Sequence, residues 1–384
     1  LAVAQATRER GLGGIVLALA GSREAALVEG LNVLPASSLT SAIRILSGGE
    51  SDPMPARGLA VSGGPGTSSE LDLADVRGQT HAVETLVIAA AGGHNMLLSG
   101  PPGSGKTMLA SRLASILPPL AREEAVEVMR LRSLAGMEVD ELPQARPFRA
   151  PHHTIGAAGL VGGREAIGEI VLAHHGVLFL DELAEFARRA LEALRGPLEQ
   201  GSVAVASRSG QVVRYPSRFM LLAATNPCPC GYADEEAPCG CSRAELLRYR
   251  RRLSGPLIDR LDLLVRLGAN VDTAASPALG SHEGLARVLA ARQRQARRFV
   301  AERVTLNAHM SVGLLQRHLR LSSDGDRALD ALRERWLLSA RGEHRLLCVA
   351  RTIADLEGSE RVRGRHLGAA LASCPGPLQH ERTV

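Results

Sequence analysis

The sequence predicts an α/β fold in which a parallel sheet with crossover helices is followed by an all-helical part. Short apolar runs at 95–99, 176–180, 219–224 and 261–266 alternate with helical stretches between Leu71 and about Leu267. Beyond Asn270 the apolar positions repeat only at helical spacing, in 281–299, 312–319, 324–338, 343–356 and 364–371. Glycine-rich and acidic sequences stand at the ends of the apolar runs, which makes those ends the place to look for chemistry.

At 384 residues and 45% apolar side chains the chain is long enough for two or three domains with a sizeable core. Residues 1–47 read as two αβ-like units: an apolar run at 14–20, a short helix from Ser22, a strand around 32–34 and a helix from Ser37 or Ser38. That is too little for a domain and reads as the end of one. With Leu in place of Met at the first position, a fragment lacking its natural N-terminus is expected. Residues 48–70 are rich in Gly, Ser and Pro and read as a linker.

No segment reaches the roughly 18 to 20 uninterrupted apolar residues that cross a bilayer, and the start lacks a basic-then-apolar signal, so a cytoplasmic protein without a membrane partner is expected. A net charge of +5 permits an anionic partner without demanding one. Aromatic residues at 2% weigh against base-stacking platforms, so a nucleic acid would be held mainly by its phosphates. Of the 45 basic residues only Lys106 is a lysine. A compact ammonium is retained where the broad guanidinium fork fits poorly.

Lys106 belongs to Gly100-Pro101-Pro102-Gly103-Ser104-Gly105-Lys106-Thr107, which has the spacing of a P-loop and lies between an apolar strand and a predicted helix at 108–117. The glycines let backbone N–H groups turn inward around a β-phosphate, Lys106 faces the β and γ phosphates, and the Thr107 hydroxyl is placed for magnesium. The strand at 177–180 ends in Asp181 and Glu182, the Walker B form, with Asp181 directed to the magnesium shell and Glu182 to the attacking water. ATP and Mg²⁺ are therefore the expected cofactors.

A third strand ends at Asn226, whose amide is suited to orienting that water, the sensor 1 position; an Asx turn before Pro227 is the alternative. Arg260, in Ser254-Gly-Pro-Leu-Ile-Asp-Arg-Leu-Asp262, is a candidate arginine finger reaching a neighbouring subunit's γ-phosphate. The competing reading is a surface ion pair with Asp259 or Asp262. In the helical part Arg341 and Arg351 both suit a sensor 2 role, and Arg341 is preferred because it opens its helix.

Several further stretches carry a resemblance. Phe148-Arg-Ala-Pro-His-His-Thr154, Gly168-Glu-Ile-Val-Leu-Ala-His174, Gly176-Val-Leu-Phe-Leu-Asp-Glu-Leu183, Leu194-Arg-Gly-Pro-Leu-Glu199, Asn226-Pro-Cys-Pro-Cys-Gly231 and Ala350-Arg-Thr-Ile-Ala-Asp-Leu356 closely resemble the magnesium-chelatase-like AAA+ proteins of the ComM/YifB family, over residues 71 to about 373. The resemblance implies a P-loop AAA+ core at 71–268, an all-helical lid at 269–384, and at 1–47 the remnant of a Lon-protease-like N-terminal α/β domain. It also implies a homo-hexameric ring that acts as a DNA branch-migration helicase in natural transformation. The stretch 154–164 would be the helix 2 insertion and 207–215 the pre-sensor hairpin, both facing the pore, with Arg208 and Arg214 near DNA phosphates. Ile167 and His175 depart from the usual pattern before Walker B.

Cys228, Cys230, Cys239 and Cys241 are spaced C-x-C, eight residues, C-x-C. Four soft ligands in a Pro- and Gly-rich loop suit a structural Zn²⁺; reduced loop thiols are the alternative. Cys348 and Cys374 read as core. The pairs His152-His153 and His174-His175 are expected on extended chain with side chains on opposite faces, in structural hydrogen bonds rather than on a metal. The arginines at 248–252, and Arg292, Arg294, Arg297 and Arg298, read equally as solvated helix faces, subunit contacts or DNA contacts.

Overall fold

The computed structural model describes residues 1–54, 71–137, 141–163, 166–206, 210–233, 239–252, 255–268, 276–277, 279–335 and 338–374. They form two compact units.

The first unit joins the N-terminal residues to 119–146. Strands β1 (Gly14–Ala18) and β2 (Asn32–Ala36) pair in parallel, as the αβ-like reading requires. Helix Leu39–Leu46 starts at Ser38, whose hydroxyl accepts the Ser41 N–H as an N-cap. Helix Arg122–Leu134 contributes Met129 and Val126, which pack with Leu1, Ala4, Val28 and Leu31. The sequence reading runs 119–146 continuously with the nucleotide-binding part. Its grouping with residues far away in the chain is a tertiary choice that local pattern does not carry.

The second unit is built on a five-stranded parallel sheet: β3 (Met96–Ser99), β4 (Phe148–Arg149), β5 (Val177–Leu180), β8 (Met220–Thr225) and β9 (Leu263–Arg266), in the order β4-β5-β8-β3-β9. Between β5 and β8 the chain forms an antiparallel hairpin of β6 (Ser202–Ala206) and β7 (Val212–Pro216). β5 and β8 are buried along their whole length, and their continuous apolar sequence is what a strand covered on both faces needs. The helix predicted at 108–117 is instead α-helical only over Lys106–Arg112 and tightens to a 3-10 turn at Leu113–Ile116, just ahead of Pro118 and Pro119. The edge strand β4, of two residues, has no periodicity to announce it.

The helical part follows the sequence pattern closely: Ser281–Arg298, Val312–His318, Ser323–Arg335, Ala340–Leu356 and Gly364–Ser373. It packs on helix Thr80–Gly92 through one continuous apolar core, to which both Cys348 and Cys374 belong. A buried polar network crosses the same boundary. Gln295 Nε2 donates to Ala91 O (3.0 Å), the Asn307 amide donates to Thr352 Oγ1 (3.1 Å) and Asp355 Oδ2 (2.9 Å), and His94 Nε2 meets Thr352 Oγ1 at 2.8 Å. At its centre Asp355 pairs with both Arg298 and Arg351. Arg292 and Arg294 also turn inward, to Ala90 O and Asp355 O. Three arginines of that basic set therefore hold the fold together.

Removing Asp355 would leave two guanidinium groups without their carboxylate, one of them, Arg351, only 1% exposed. Breaking a buried pair by deleting one partner costs about 3–5 kcal/mol. Asp355→Ala is accordingly expected to lower the thermal midpoint by several degrees in a melt followed by circular dichroism. An unchanged midpoint would make the network dispensable.

Among the described residues no helix is long and apolar enough to cross a membrane.

Candidate ATP site

The sheet register brings the site together. Ser99 pairs with Thr225, and Leu180 with Ala223, so Gly100, Asp181, Glu182 and Asn226 all emerge at the carboxyl edge of three adjacent strands. Ligands of open parallel sheets bind at that edge.

The loop after β3 is shaped by glycine. Gly103 and Gly105 have φ of +78° and +86°, a region that L side chains rarely adopt. A Cβ at Gly100 would lie 2.6 Å from Leu267 O and 2.8 Å from Ser104 Oγ. Gln79 Nε2 fastens the loop by donating to Ser104 O at 2.9 Å, and Gly105 caps helix Lys106–Arg112. Pro101 and Pro102 stiffen the turn between them.

Lys106 Nζ donates to Gly100 O (2.8 Å), Pro101 O (2.7 Å) and Asn226 Oδ1 (3.1 Å). Burial lowers the ammonium's pKa, while the charges of Asp181 and Glu182 work the other way. Thr107 Oγ1 donates to Asp181 Oδ2 at 2.7 Å, so the two predicted magnesium ligands already touch. A hydroxyl beside a carboxylate at a phosphate loop fits a hard, oxygen-seeking Mg²⁺.

Glu182 sits in the left-handed region at φ +53°, one of two described non-glycine residues with positive φ. Such strain persists only where the surroundings fix it, and it clusters at functional sites. Its side chain is 59% exposed, and its Oε2 lies 3.1 Å from His153 Nδ1. His153 is the neighbour that sequence reasoning missed. Strand β4 ends at Arg149, and residues 152–154 turn, which places the His152 and His153 rings 4.1 Å apart, centroid to centroid. Opposite faces of an extended strand are therefore the wrong picture for this pair. The same correction holds for His174 and His175, whose ring centroids are 3.9 Å apart with His175 at φ +58°. His174 is nonetheless in a structural hydrogen bond, accepting the Arg218 N–H at 2.9 Å.

Asn226 is fixed from behind: its carbonyl accepts from the Tyr249 hydroxyl (3.0 Å), which also meets Thr225 Oγ1 (3.1 Å). Beside it opens a cavity of about 340 Å³, bordered by Glu182, Asn226, Cys228, Tyr249, Arg248 and Arg252. Arg252 pairs with Glu185 at 3.2 Å.

Arg260 is 8% exposed and ion-paired to Glu199 of the same chain. The ion pair thus joins Arg260 to Glu199, from helix Arg195–Gln200, where the sequence suggests the adjacent Asp259 or Asp262. Asp262 instead accepts the Asn95 N–H. In the helical part the two sensor 2 candidates separate: Arg351 is buried and bound to Asp355, Glu360 O and Ser359 O, whereas Arg341 is exposed at the start of its helix. Arg214 is exposed on β7. Arg208 and Arg164 lie outside the described residues.

The four loop cysteines converge. Sγ–Sγ separations are 3.3 Å for Cys228–Cys230, 3.8 Å for Cys228–Cys239 and 3.5 Å for Cys230–Cys239, and all four sulfurs, that of Cys241 included, lie within 4.8 Å of one another. The Tyr232 backbone N–H and the Cys228 thiol bring the Cys230 thiol down to about 6.

A sheet of this order, with an acidic pair one strand removed from the phosphate cradle and a helical part behind it, is the architecture of P-loop ATPases of the AAA+ class. The chain belongs to the magnesium chelatase ChlI family: the profile for magnesium chelatase, subunit ChlI, matches residues 72–275, and that for the ChlI C-terminal part matches residues 279–373. Membership implies ATP hydrolysis with Mg²⁺. Among its relatives, the uncharacterized protein YifB of Salmonella typhimurium is 45% identical over 308 residues, 78% of this chain and 60% of that protein. An uncharacterized protein of Mycobacterium tuberculosis is 41% identical over 374 residues, 96% and 73% of the two chains. The competence protein ComM of Haemophilus influenzae is 38% identical over 365 residues, 93% and 70%. The chain thus spans 60% to 73% of the length of these relatives.

Proposed function

We propose that this chain is the motor part of a homo-hexameric ring that hydrolyses ATP with Mg²⁺ to move along DNA, as a branch-migration helicase in recombination or natural transformation. The observation that carries the hydrolytic part is the contact set at the strand tips: Thr107 on Asp181, Lys106 on Asn226, and Glu182 beside them. Lys106 exchanges its loop carbonyls for the β and γ phosphates. Thr107 and Asp181 would hold the metal, Glu182 would polarise water, and Asn226 would orient it. The metal, when bound, neutralises charge that develops on the transferred phosphoryl group. Arg341, exposed where Arg351 is not, is the sensor 2 candidate.

The DNA part of the reading is supported by the ComM relative, whose name assigns it to competence, and by the β6–β7 hairpin with its exposed Arg214. Phosphate contacts release counterions, so DNA-stimulated turnover should fall steeply with salt. ATPase activity is expected to rise with branched DNA at 50 mM salt and to lose most of that rise at about 200 mM. No stimulation together with no DNA binding at low salt would overturn this part. The magnesium chelatase match favours the second reading, a remodelling or metal-insertion ATPase acting on a partner protein. That reading predicts turnover indifferent to DNA.

A further inference from the structure

The four-cysteine loop has geometry for a metal, and it is tied to the hydrolytic site at both ends. Zinc bound by thiolates at about 2.3 Å in a tetrahedron sets its sulfurs about 3.8 Å apart. Three of the six Sγ–Sγ separations, 3.3, 3.8 and 3.5 Å, already approach that edge length, and all six are within 4.8 Å. Gly231 N–H donates to Cys228 Sγ at 3.2 Å, a bond that a thiolate ligand accepts well.

The ligands lie between Asn226, the residue assigned to orient water, and the helix that returns to it. Cys228 and Cys230 follow Asn226 at once, at the end of β8. Cys239 and Cys241 lead directly into helix Arg243–Arg252, whose Tyr249 hydroxyl returns to Asn226 O and Thr225 Oγ1. The loop also rests on the phosphate cradle. Gly231, at φ +92°, lies so close to Pro102 that a Cβ there would come within 2.4 Å of the Pro102 ring. Without a cross-link, holding together two C-x-C pairs that are eight residues apart in the sequence costs entropy. A single ion bound by all four sulfurs holds them together, fixing the return of Tyr249 to Asn226 and the seat of Gly231 against Pro102.

We propose that Cys228, Cys230, Cys239 and Cys241 bind one zinc ion and that this ion positions Asn226 for hydrolysis, so that turnover and metal occupancy are coupled. This rests on the proposed ATPase reading of the site. The four cysteines and Tyr249 are positioning residues, because they act through Asn226. A misplacement of about 1 Å in such a group lowers turnover by about a hundredfold. Binding of the nucleotide, which the glycine loop and Lys106 carry, should change far less.

The test uses the full chain as purified, with zinc measured by atomic emission and hydrolysis and fluorescent-ATP binding measured on the same sample. The expected result is one zinc per chain. Removal by a chelator should lower kcat by about tenfold or more with nucleotide affinity within about threefold, and added zinc should restore kcat. Tyr249→Phe guards against a simple loss of fold. It should keep its zinc and its fold, with a melting temperature within a few degrees of wild type, but lower kcat severalfold. Absence of stoichiometric zinc overturns the metal site. Zinc that can be removed without change in kcat, or a Tyr249→Phe chain with wild-type kcat, overturns the coupling. Stoichiometric zinc in a wild-type chain that never hydrolyses ATP overturns the ATPase reading and the coupling with it, and leaves the metal site standing.

Discussion

A Glu182→Gln chain is expected to bind ATP with near wild-type affinity and to lose hydrolysis by about 10²- to 10⁴-fold, the range a positioned general base contributes. The expectation comes from how the strand tip divides its labour. Asp181 is engaged by Thr107 Oγ1 and by the Glu182 backbone N–H, which holds its carboxylate at the phosphate loop. The Glu182 carboxylate makes neither contact and faces outward toward His153. The amide of Gln preserves shape and the left-handed backbone, but it cannot take a proton from water. A single-turnover hydrolysis assay beside a nucleotide-binding titration separates the two roles. Normal turnover in Glu182→Gln would remove Glu182 as the base, while lost binding would give it a role in holding nucleotide.

What the sequence carried and what it did not divide along physical lines. That Gly100, Asp181 and Asn226 share one edge of the sheet, with Lys106 and Thr107 close by, follows from strand ends, and strand ends follow from apolar runs with a sharp polar stop. The helices of the C-terminal part follow from a period that survives over many residues. Contacts between distant side chains leave no such local mark. Nothing in Pro-His-His-Thr announces that His153 will meet Glu182, because that depends on a two-residue edge strand ending early. In the sequence Arg298 reads equally as a solvated face, a subunit contact or a DNA contact, and Arg351 as a sensor 2 candidate, yet both close on Asp355 inside the fold. Segment 119–146 packs with residues 1–31 through Met129 and Val126, side chains that would serve equally in a different core. A hairpin here came from family resemblance alone, which put it at 207–215, whereas its strands are Ser202–Ala206 and Val212–Pro216.

Arg260→Ala is the second large effect, and its two explanations separate cleanly. As an arginine finger supplied to a neighbouring subunit, Arg260 would contribute about 10³- to 10⁵-fold in turnover. In the single chain, however, it is nearly buried and held by Glu199, so reaching a neighbour's γ-phosphate requires that carboxylate to let go. Arg260→Ala chains alone should be inactive if the finger is missing, whereas loss of the pair with the half-exposed Glu199 mainly lowers stability. Mixing them with Glu182→Gln chains decides. An Arg260→Ala subunit keeps its own Glu182, and a Glu182→Gln neighbour supplies an intact Arg260, so complete sites form at mixed interfaces and activity returns. If Arg260 serves only its own chain through Glu199, mixing restores nothing and the Arg260→Ala melting temperature falls. Rescue with an unchanged melting temperature places the guanidinium in the next subunit's site.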